Sequence, residues 1–488
     1  MSNPLRRAFF DRTNLTNVDS RKEVPLRRKF GETSAIPNKR ARLDTSTTTE
    51  ERILDTRRNL SETPFRKLKI KQKYGYYSKG VTTSLSSRPI LSSFVSSQKS
   101  DRYCLHLRDD INTHSVAFSC SFSRGAKRGT STLLSIGTQD GAVEILNTKS
   151  RLDWEAEPQR NILQIHDSAI FDLKYSLDDE YIATASHDSS CRITSLSTQQ
   201  CTAVLVGHTG SVKSLDWFPD HNSLLCTGAR DGSIRIWDIR CSSLKTTVSN
   251  GISPSYVIHD AHAENTSTEK KKKAASIKGI TSVVIIPGTS EIVSSSSSDG
   301  PRTLLIRYRK LRHWDLRYVK DCWTVTDLGG NLDDPTLASG LRSRGVSGLA
   351  LGSNLSAGYI WSIAADSRYT LPLKAPYSYQ PKAFSHPNLT VKSFYVKLAA
   401  SPCGRWLACG SSSGGTYIWD VNDRSSSSPI ELISSTKEVG SLDWAFDTLA
   451  TCCDDGTVRI WRPNLDIASQ CRANPEEEKW NWFWSKDL

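Results

Sequence analysis

Short segments in which apolar and polar residues alternate recur from about residue 103 to residue 463, and Asp-Gly or Ser-rich turns separate them. An alternation with a period of two predicts β-strands with one buried face. Seven anchor positions, each an Asp or a residue that replaces it, precede an apolar strand in successive units of this pattern. They are Asp140, Asp188, Asp231, Asp299, Asp366, Ser413 and Asp455.

The intervals between these anchors are 48, 43, 68, 67, 47 and 42 residues. A period of about 40–45 residues with four strands per unit is typical of WD-repeat β-propellers. The two long intervals indicate insertions, for which residues 262–278 and 301–309 are the candidates. We therefore predict an all-β fold, a seven-bladed WD-repeat β-propeller over residues 103–463. A strand within Tyr103–Leu107 would complete its last blade and leave no open sheet edge.

The excess of basic residues lies before the repeats. Residues 1–100 hold 22 of the 64 Lys and Arg residues but 9 of the 51 Asp and Glu residues, so the rest of the chain carries 42 of each sign. We predict a disordered basic N-terminal arm over residues 1–100, because so polar a segment buries too little surface to offset its ordering entropy. Such an arm favours nucleic acid or an import receptor, with a merely solvated tail as the alternative. Within it, Lys39, Arg40 and Arg42 resemble a nuclear import signal.

Cysteine spacing and apolar run lengths exclude several classes of protein. The 12 Cys residues include no C-x-x-C pair and show no ligand spacing, so we predict reduced thiols, no metal site and no cofactor. No apolar run approaches the roughly 18 residues that a membrane-spanning helix needs, and we expect no membrane partner.

The third unit carries the side chains of a buried hydrogen-bond network. Asp231 would accept from His208, His208 would meet the hydroxyl of Thr227, and this hydroxyl would reach the indole N–H of Trp237. A His, a hydroxyl and an Asp also suggest a catalytic triad. We favour a structural role because fragments of the same set recur at the repeat spacing, and we expect no enzymatic activity.

Two strands end in Trp-Asp-x-Arg. The residues of this motif are Trp237, Asp238 and Arg240 in one strand and Trp314, Asp315 and Arg317 in the other. Each arginine follows the end of its strand, so we expect its side chain on one rim of the propeller. A guanidinium there can bind carboxylates or carbonyl groups of a partner. A solvated rim arginine is the alternative, but two copies in neighbouring blades favour a binding edge.

The repeat region also resembles a known family in four stretches. They are Cys226–Cys241, His259–Ser276, Ser393–Val421 and Ala450–Arg462. With the blades between them, they resemble the denticleless-type WD-repeat proteins, substrate receptors of cullin-4 RING ubiquitin ligases. The Trp-Asp-x-Arg motif is shared by many receptors of this class. The Lys-rich insertion after the third blade and the Ser-Phe-Tyr-Val-Lys run that begins at Ser393 are more specific to this family.

This resemblance implies a non-catalytic subunit that works in the nucleus. The ligase adaptor, a triple-propeller damaged-DNA-binding protein that joins the receptor to cullin-4, would bind the rim that carries the two Trp-Asp-x-Arg motifs. The other surface would capture substrates whose degron is presented on the chromatin-bound sliding clamp in S phase or after DNA damage. A replication-licensing factor and an inhibitor of deoxynucleotide synthesis are the implied substrate classes.

The ends of the chain differ from the animal members of this family. The sequence ends soon after the last repeat, so we expect no long C-terminal extension with a clamp-binding peptide. The basic arm could supply the attraction to chromatin instead. Residues 464–488 form a short tail rich in Trp, which we expect to pack on the propeller, with docking on a partner as the alternative.

A chromatin- or histone-binding propeller scaffold is the second interpretation of the same repeats. Such a protein would hold a basic peptide tail at its central channel. It would therefore need an acidic, aromatic-lined channel mouth, which the sequence alone does not test.

Overall fold

Seven four-stranded antiparallel blades follow one another along the chain, because each short alternating segment pairs mainly with its neighbours in sequence, and the last two blades are joined into one ten-stranded sheet. The computed structural model describes residues 88–107, 113–241, 251–262, 278–289, 291–297, 310–316, 323–327, 345–364, 369–374, 384–421, 428–433, 437–475 and 482–487. The predicted all-β, seven-bladed WD-repeat propeller is confirmed.

Two strands, β1 (Phe94–Ser97) and β2 (Arg102–Cys104), precede the first blade. Blade 1 contains β3 (Ala117–Phe122), β4 (Leu133–Thr138), β5 (Ala142–Asn147) and β6 (Asn161–Gln164). Blade 2 contains β7 (Ile170–Tyr175), β8 (Tyr181–Ser186), β9 (Cys191–Ser195) and β10 (Cys201–Leu205), with β14 (Gly251–Ile252) parallel to β10. Blade 3 contains β11 (Val212–Trp217), β12 (Leu224–Ala229), β13 (Ile234–Asp238) and β15 (Tyr256–Ile258).

The remaining blades repeat this order. Blade 4 contains β16 (Ile280–Ile285), β17 (Glu291–Ser296), β18 (Lys310–Asp315) and β19 (Trp323–Asp327). Blade 5 contains β20 (Val346–Leu351), β21 (Tyr359–Ala364), β22 (Tyr369–Lys374) and β23 (Phe384–Ser385). Blade 6 contains β24 (Leu398–Ala400), β25 (Trp406–Cys409), β26 (Gly415–Asp420) and β27 (Ile430–Ile433). Blade 7 contains β28 (Val439–Trp444), β29 (Leu449–Cys453), β30 (Thr457–Pro463) and β2, and the strand β31 (Trp482–Asp487) follows it.

Helices are short in the described part of the chain. They are α1 (Arg88–Leu91), α2 (Arg124–Arg128), α3 (Leu465–Ala473) and one 3-10 turn at Asn354–Ser356. The first strands of successive blades contact one another in the order β3, β7, β11, β16, β20, β24, β28 and back to β3. These strands therefore form the inner wall of a closed ring.

The ring is closed by a strand that comes from before the first blade. Tyr103 of β2 pairs with Val458 of β30, so the expected closing strand within Tyr103–Leu107 is confirmed. Arg462 donates from Nε to Asp101 Oδ1 at 3.0 Å, and Tyr103 is buried between blade 7 and blade 1. The chain before the first blade thus completes the sheet of the last blade, and the two blades share one hydrophobic core.

The N-terminal boundary in the structure differs from the one that the sequence predicts. The sequence predicts an arm that extends to residue 100. In the structure, α1 and β1 belong to the folded unit, and all four residues of β1 are buried. Ser93 donates to the Ile90 carbonyl at 2.7 Å, and Ser485 donates to the Ser92 carbonyl at 2.5 Å. Because both faces of β1 are covered, its sequence shows no alternation of apolar and polar residues that would predict a strand. Residues 1–87, which are the rest of the predicted arm, lie outside the described residues.

The C-terminal segment packs on the propeller rather than forming a separate tail. The strand β31 pairs with β1 on one side, where Val95 faces Trp484, and with β27 on the other, where Glu431 faces Lys486. It therefore joins the outer edges of blades 6 and 7. The guanidinium of Arg459 adds a cation–π contact, 4.4 Å from the ring centre of Phe483.

A second set of bonds joins neighbouring blades through their innermost strands. The tetrapeptide Ser-Leu-Asp-Trp occurs at residues 214–217 and again at residues 441–444. In the first copy, Ser214 and Asp216 accept the backbone N–H groups of the next blade at 3.1 and 3.0 Å. Trp217 donates its indole N–H at 3.2 Å to the carbonyl of Lys174 in the preceding blade. Each copy thereby ties three successive blades, and the second makes the same bonds.

The side chains of the third repeat form the hydrogen-bond network that the sequence suggests. Nδ1 of His208 lies 2.9 Å from Asp231, and its Nε2 lies 2.8 Å from the hydroxyl of Thr227. Trp237 donates to the same hydroxyl at 2.8 Å. Burial lowers the pKa of His208, although Asp231 opposes the shift, so the ring is neutral at neutral pH. A neutral ring donates through Nδ1 to the carboxylate and accepts at Nε2 from the threonine.

Other blades contain parts of this network. In blade 2, His166 lies 2.7 Å from Asp188, whose pKa is lowered to about 2 because the bonds from His166 and Ser190 outweigh burial. In blade 4, the Ser294 hydroxyl lies 2.9 Å from His262 and accepts the indole N–H of Trp314 at 2.9 Å. The sets lie within the blades at equivalent positions, as expected for a structural role.

We predict that Thr227→Val destabilises the propeller by about 1–3 kcal/mol, because it leaves His208 and Trp237 without their shared partner inside the blade. Urea unfolding followed by tryptophan fluorescence measures the change. Thr198→Val, which removes a hydroxyl from an exposed turn, is the control and should stay within about 0.5 kcal/mol of the unmodified protein. Equal effects in the two variants would contradict the network.

We also predict that Phe94→Ala destabilises the fold by about 3–5 kcal/mol. Phe94 is fully buried, and its ring meets Trp406 and Trp444 edge-on, with ring centres 6.4 and 5.9 Å apart. Phe394→Ala is the matched control, because that ring is 38% exposed. Indistinguishable unfolding midpoints for the two variants would show that β1 is not part of the stable core.

Candidate functional site

The propeller has two rims, which the strand pairing defines. In blade 3, β11 ends at the level where β12 begins and β13 ends, because Trp217 faces Leu225 and Leu224 faces Asp238. We call this side, with Arg240 just beyond β13, the Arg240 rim. The opposite side, where β11 begins and where the turn between β12 and β13 carries Asp231, is the His208 rim.

Arg240 is presented on its rim by a fixed carboxylate. Its Nε and Nη2 donate to the two oxygens of Asp238 at 2.9 and 2.8 Å, and its backbone N–H donates to the same group at 3.0 Å. The Arg240 side chain is 62% exposed, whereas that of Asp238 is 9% exposed. These bonds lower the pKa of Asp238 despite its burial, so the carboxylate stays ionised. The outer edge of the guanidinium, with Nη1, therefore faces solvent in a set orientation.

The aromatic members of the two Trp-Asp-x-Arg motifs do not lie on the surface. Trp237 is fully buried and Trp314 is 8% exposed, because each indole lies inside its blade. Both tryptophans belong to the motifs that the sequence assigns to adaptor binding, but their rings lie beneath the surface and do not face a partner. Each buried indole stabilises the strand from which the following Asp extends.

The second motif reaches the same level of the ring. Asp315 pairs with Glu291 in blade 4, as Asp238 pairs with Leu224 in blade 3, so its backbone lies at the Arg240 rim. Arg317 lies outside the described residues. So do three other sets of positions singled out in the sequence. These are the import-signal residues Lys39, Arg40 and Arg42, the anchors Asp299 and Asp366, and the insertion 301–309.

An exposed tryptophan adds an apolar feature to the Arg240 rim. Trp154, which is 81% exposed, and Leu152, which is 51% exposed, lie on the connection that follows β5 in blade 1. The connection is braced, because Asp153 accepts from Ser97 at 2.7 Å and Arg151 donates to the carbonyl of Ser100 at 3.0 Å. A large side chain held in solvent by such contacts is typical of an interaction site.

A cluster of aromatic and cationic side chains lies at the centre of the His208 rim. The rings of Phe118, Phe171 and Tyr395 have centres 5.0–5.7 Å apart, and the Nζ of Lys213 lies 3.2 Å from the ring centre of Phe171. Lys397 donates to the carbonyl of Phe171 at 2.7 Å. These residues come from blades 1, 2, 3 and 6, which can meet only near the axis of the ring. We call this group the axial cluster.

A repeated irregularity in the innermost strands accounts for the axial cluster. In six of the seven blades, the pairing between the innermost strand and the second strand shifts register by one residue directly after the first residue pair. The shifted residues are Phe118, Phe171, Lys213, Thr281, Ser347 and Gly440. Such bulges re-aim a side chain. Here they place two aromatic residues and a lysine on one side of the axis and three small residues on the other.

Sequence reasoning missed the axial cluster and two of the network histidines. His166 and His262 lack the Gly-His pair that marks His208, so their role becomes visible only through the partners that the fold supplies. Phe118, Phe171 and Lys213 each follow the first residue of an innermost strand. The sequence shows these positions, but without the bulges it does not predict that the three side chains meet. The Ser-Phe-Tyr-Val-Lys run at Ser393 contributes Tyr395 and Lys397.

No group of three or more His, Cys, Asp or Glu side chains is arranged to hold a metal ion in the part of the chain that the structure describes. Within the same residues, no helix has both the length and the apolar character needed to cross a membrane.

Comparison with known proteins identifies the repeats. The family described as "WD domain, G-beta repeat" matches residues 157–195, 199–238, 387–420 and 429–462. The four segments contain the first three strands of blades 2, 3, 6 and 7, and three of them begin with the outer strand of the preceding blade.

Whole proteins give a more specific similarity. The chain is 31% identical over 373 residues to "Cell division cycle protein cdt2" of Schizosaccharomyces pombe, which covers 72% of this chain and 71% of that protein. It is 31% identical to the "Denticleless protein homolog" of Danio rerio and 27% identical to that of Homo sapiens, over 71% and 72% of this chain. The matches cover 52% and 47% of these two proteins, so the chain spans about half the length of the vertebrate relatives. The chain therefore belongs to the family of the denticleless and cdt2 WD-repeat proteins.

Proposed function

We propose that this protein is the substrate-recognition subunit of a cullin-4 RING ubiquitin ligase and performs no catalysis itself. The observation that carries the proposal is the Arg240 guanidinium, which is exposed on one rim while Asp238 fixes its orientation. A pre-oriented arginine loses little conformational freedom on binding and suits bidentate contact with a partner. The ligase adaptor, a triple-propeller damaged-DNA-binding protein linked to cullin-4, would bind this rim.

The family similarity supports the cellular setting of the proposal. One relative is named as a cell division cycle protein. We infer a nuclear protein that directs the degradation of replication regulators presented on the chromatin-bound sliding clamp, in S phase and after DNA damage. A licensing factor and an inhibitor of deoxynucleotide synthesis are the proposed substrates, and the basic arm, which precedes residue 88, would keep the complex near chromatin. By holding a substrate lysine near the conjugating enzyme, the receptor raises its effective concentration.

The alternative, a histone-binding propeller scaffold, receives less support from the channel mouth. That function needs carboxylates around an aromatic pocket, so that a basic peptide tail is neutralised. The axial cluster has the aromatic rings, but the charged groups in contact with them are Lys213 and Lys397, and the nearby carboxylate of Asp172 is already paired with Lys397. A basic tail would meet like charges there, so this mouth does not favour the histone interpretation.

The main test is adaptor binding by the variant that carries both Arg240→Ala and Arg317→Ala. We expect co-purification of the adaptor to weaken by about 30-fold or more, because truncation of an interface arginine commonly costs about 2 kcal/mol. The measurement is a pull-down of the full chain with purified adaptor, quantified by titration. Thermal unfolding should be nearly unchanged, since Arg240 is mostly exposed.

Arg230→Ala is the matched control for this experiment. Arg230 is also exposed, and it lies in the turn between β12 and β13 on the His208 rim. Adaptor binding should persist in this variant. Undiminished binding by the double variant, or equal loss in the control, would argue against the proposed docking rim.

A further prediction concerns the exposed tryptophan on the same rim. We expect Trp154→Ala to weaken adaptor binding about tenfold, because a Trp that leaves water at an interface is commonly an energetic hot spot. The fold should be unaffected, since this side chain is 81% exposed. The same titration checks it, and Ile162→Ala, an exposed aliphatic residue on the outer strand β6, provides the comparison. Unchanged binding in Trp154→Ala would place blade 1 outside the contact.

A further inference from the structure

The axial cluster contains a cation whose charge the described part of the protein does not neutralise. Lys213 Nζ lies 3.2 Å from the ring centre of Phe171 and 5.4 Å from that of Tyr395, and none of the ion pairs among the described residues includes it. Burial, followed by the charges of Arg230 and Lys397, lowers the pKa of Lys213 to about 8. Among the described residues, the charges of Arg230 and Lys397 thus repel the Lys213 ammonium group, and the rings of Phe171 and Tyr395 attract it.

The two other cations at the axis differ in how far they are already engaged. Lys397 donates to the carbonyl of Phe171 and lies 3.6 Å from Asp172, so it holds the cluster together. Arg230 is exposed on the adjacent turn. Lys213 and Arg230 are therefore the groups that an incoming anion would meet, and a carboxylate beside Lys213 would relieve the repulsion.

The aromatic part of the cluster offers a surface for an apolar side chain. Tyr395 is 38% exposed, as is the neighbouring Phe394, while Phe171 is buried beneath. Among the described residues, the equivalent positions of blades 4, 5 and 7 carry small side chains, which are Thr281, Ser347 and Gly440. At these three positions, no large side chain covers the rings.

The charges around the mouth favour a peptide over a nucleic acid. Glu438 and Asp454 lie on the same rim in blade 7, where Asp454 is exposed and donates its backbone N–H to the Glu438 carbonyl at 2.9 Å. A phosphate backbone needs a continuous basic path, and these carboxylates interrupt it. A peptide with one acidic side chain next to an apolar one needs only the local cation and the rings.

We propose that the axial cluster binds an extended acidic peptide segment, with Lys213 contacting a carboxylate and Tyr395, which Phe171 supports from beneath, packing against an adjacent apolar side chain. This inference rests on the proposed receptor function and assigns the chemistry of the substrate segment. It places recognition on the His208 rim, opposite the proposed adaptor contact.

The test uses fluorescence anisotropy of the full chain with a labelled peptide in which glutamate alternates with leucine. Versions with glutamine or lysine in place of every glutamate serve as comparisons. We expect the glutamate peptide to bind at least about tenfold more tightly than the glutamine peptide, the range of a charge-assisted contact. Lys213→Gln should remove this preference, and Lys213→Glu should reverse it in favour of the lysine peptide. Lys149→Glu, the same charge change at an exposed site at the end of β5 on the Arg240 rim, should leave the preference intact.

The outcomes separate this inference from the proposed function. Thermal unfolding and adaptor pull-down of the Lys213 variants establish that the fold and the Arg240 rim are intact. Equal binding of all three peptides, no binding of the glutamate peptide, or an unchanged preference in Lys213→Glu would overturn the inference while adaptor binding persists. Lys213-dependent binding of a labelled single-stranded oligonucleotide, without acidic-peptide binding, would also overturn it and assign the mouth to nucleic acid.

Discussion

Everything at either rim depends on the closure of the ring. Seven blades are held in a circle because β2 completes the last blade from before the first, and Asp101 and Arg462 form an ion pair at the junction. Without this pairing the first and last blades would expose hydrophobic faces and unpaired strand edges. Closure also fixes the innermost strands against one another, and this alone brings side chains from blades 1, 2, 3 and 6 together at the axis.

The sequence predicts the repeats well because the repeated constraint is local. Asp231, Thr227 and Trp237 stand at fixed offsets within one blade, so their spacing survives in the amino-acid sequence and predicts both the fold and the network. The blades' fourth strands, and β1, are harder to detect. The segment around Phe94 is buried on both faces by pairing with β30 and β31, and these partners lie far away along the chain.

The candidate sites also differ in how far the sequence predicts them. The Trp-Asp-x-Arg motif predicts Arg240 as a site residue. Its two hydrogen bonds to Asp238 and its exposure are known only from the folded structure. The axial cluster could not be found, since Phe118, Phe171, Lys213 and Tyr395 share no motif and meet only after the ring closes. The Ser-Leu-Asp-Trp tetrapeptide is an intermediate case. It is visible twice in the sequence, but its bonds to both neighbouring blades follow from the packing of innermost strands.

The pairing of β1 with β31 has a consequence for how the protein is made. Ser92 and Ser485, which share a hydrogen bond, are separated by 393 positions, so the ribosome releases one long before the other. In the nascent chain, the edges of β1 have no native partner until β30 and β31 have been synthesised. Contacts of such sequence separation form slowly. Pairing of β1 is therefore a late step, and until it occurs the apolar side chain of Phe94 stays open to non-native contacts.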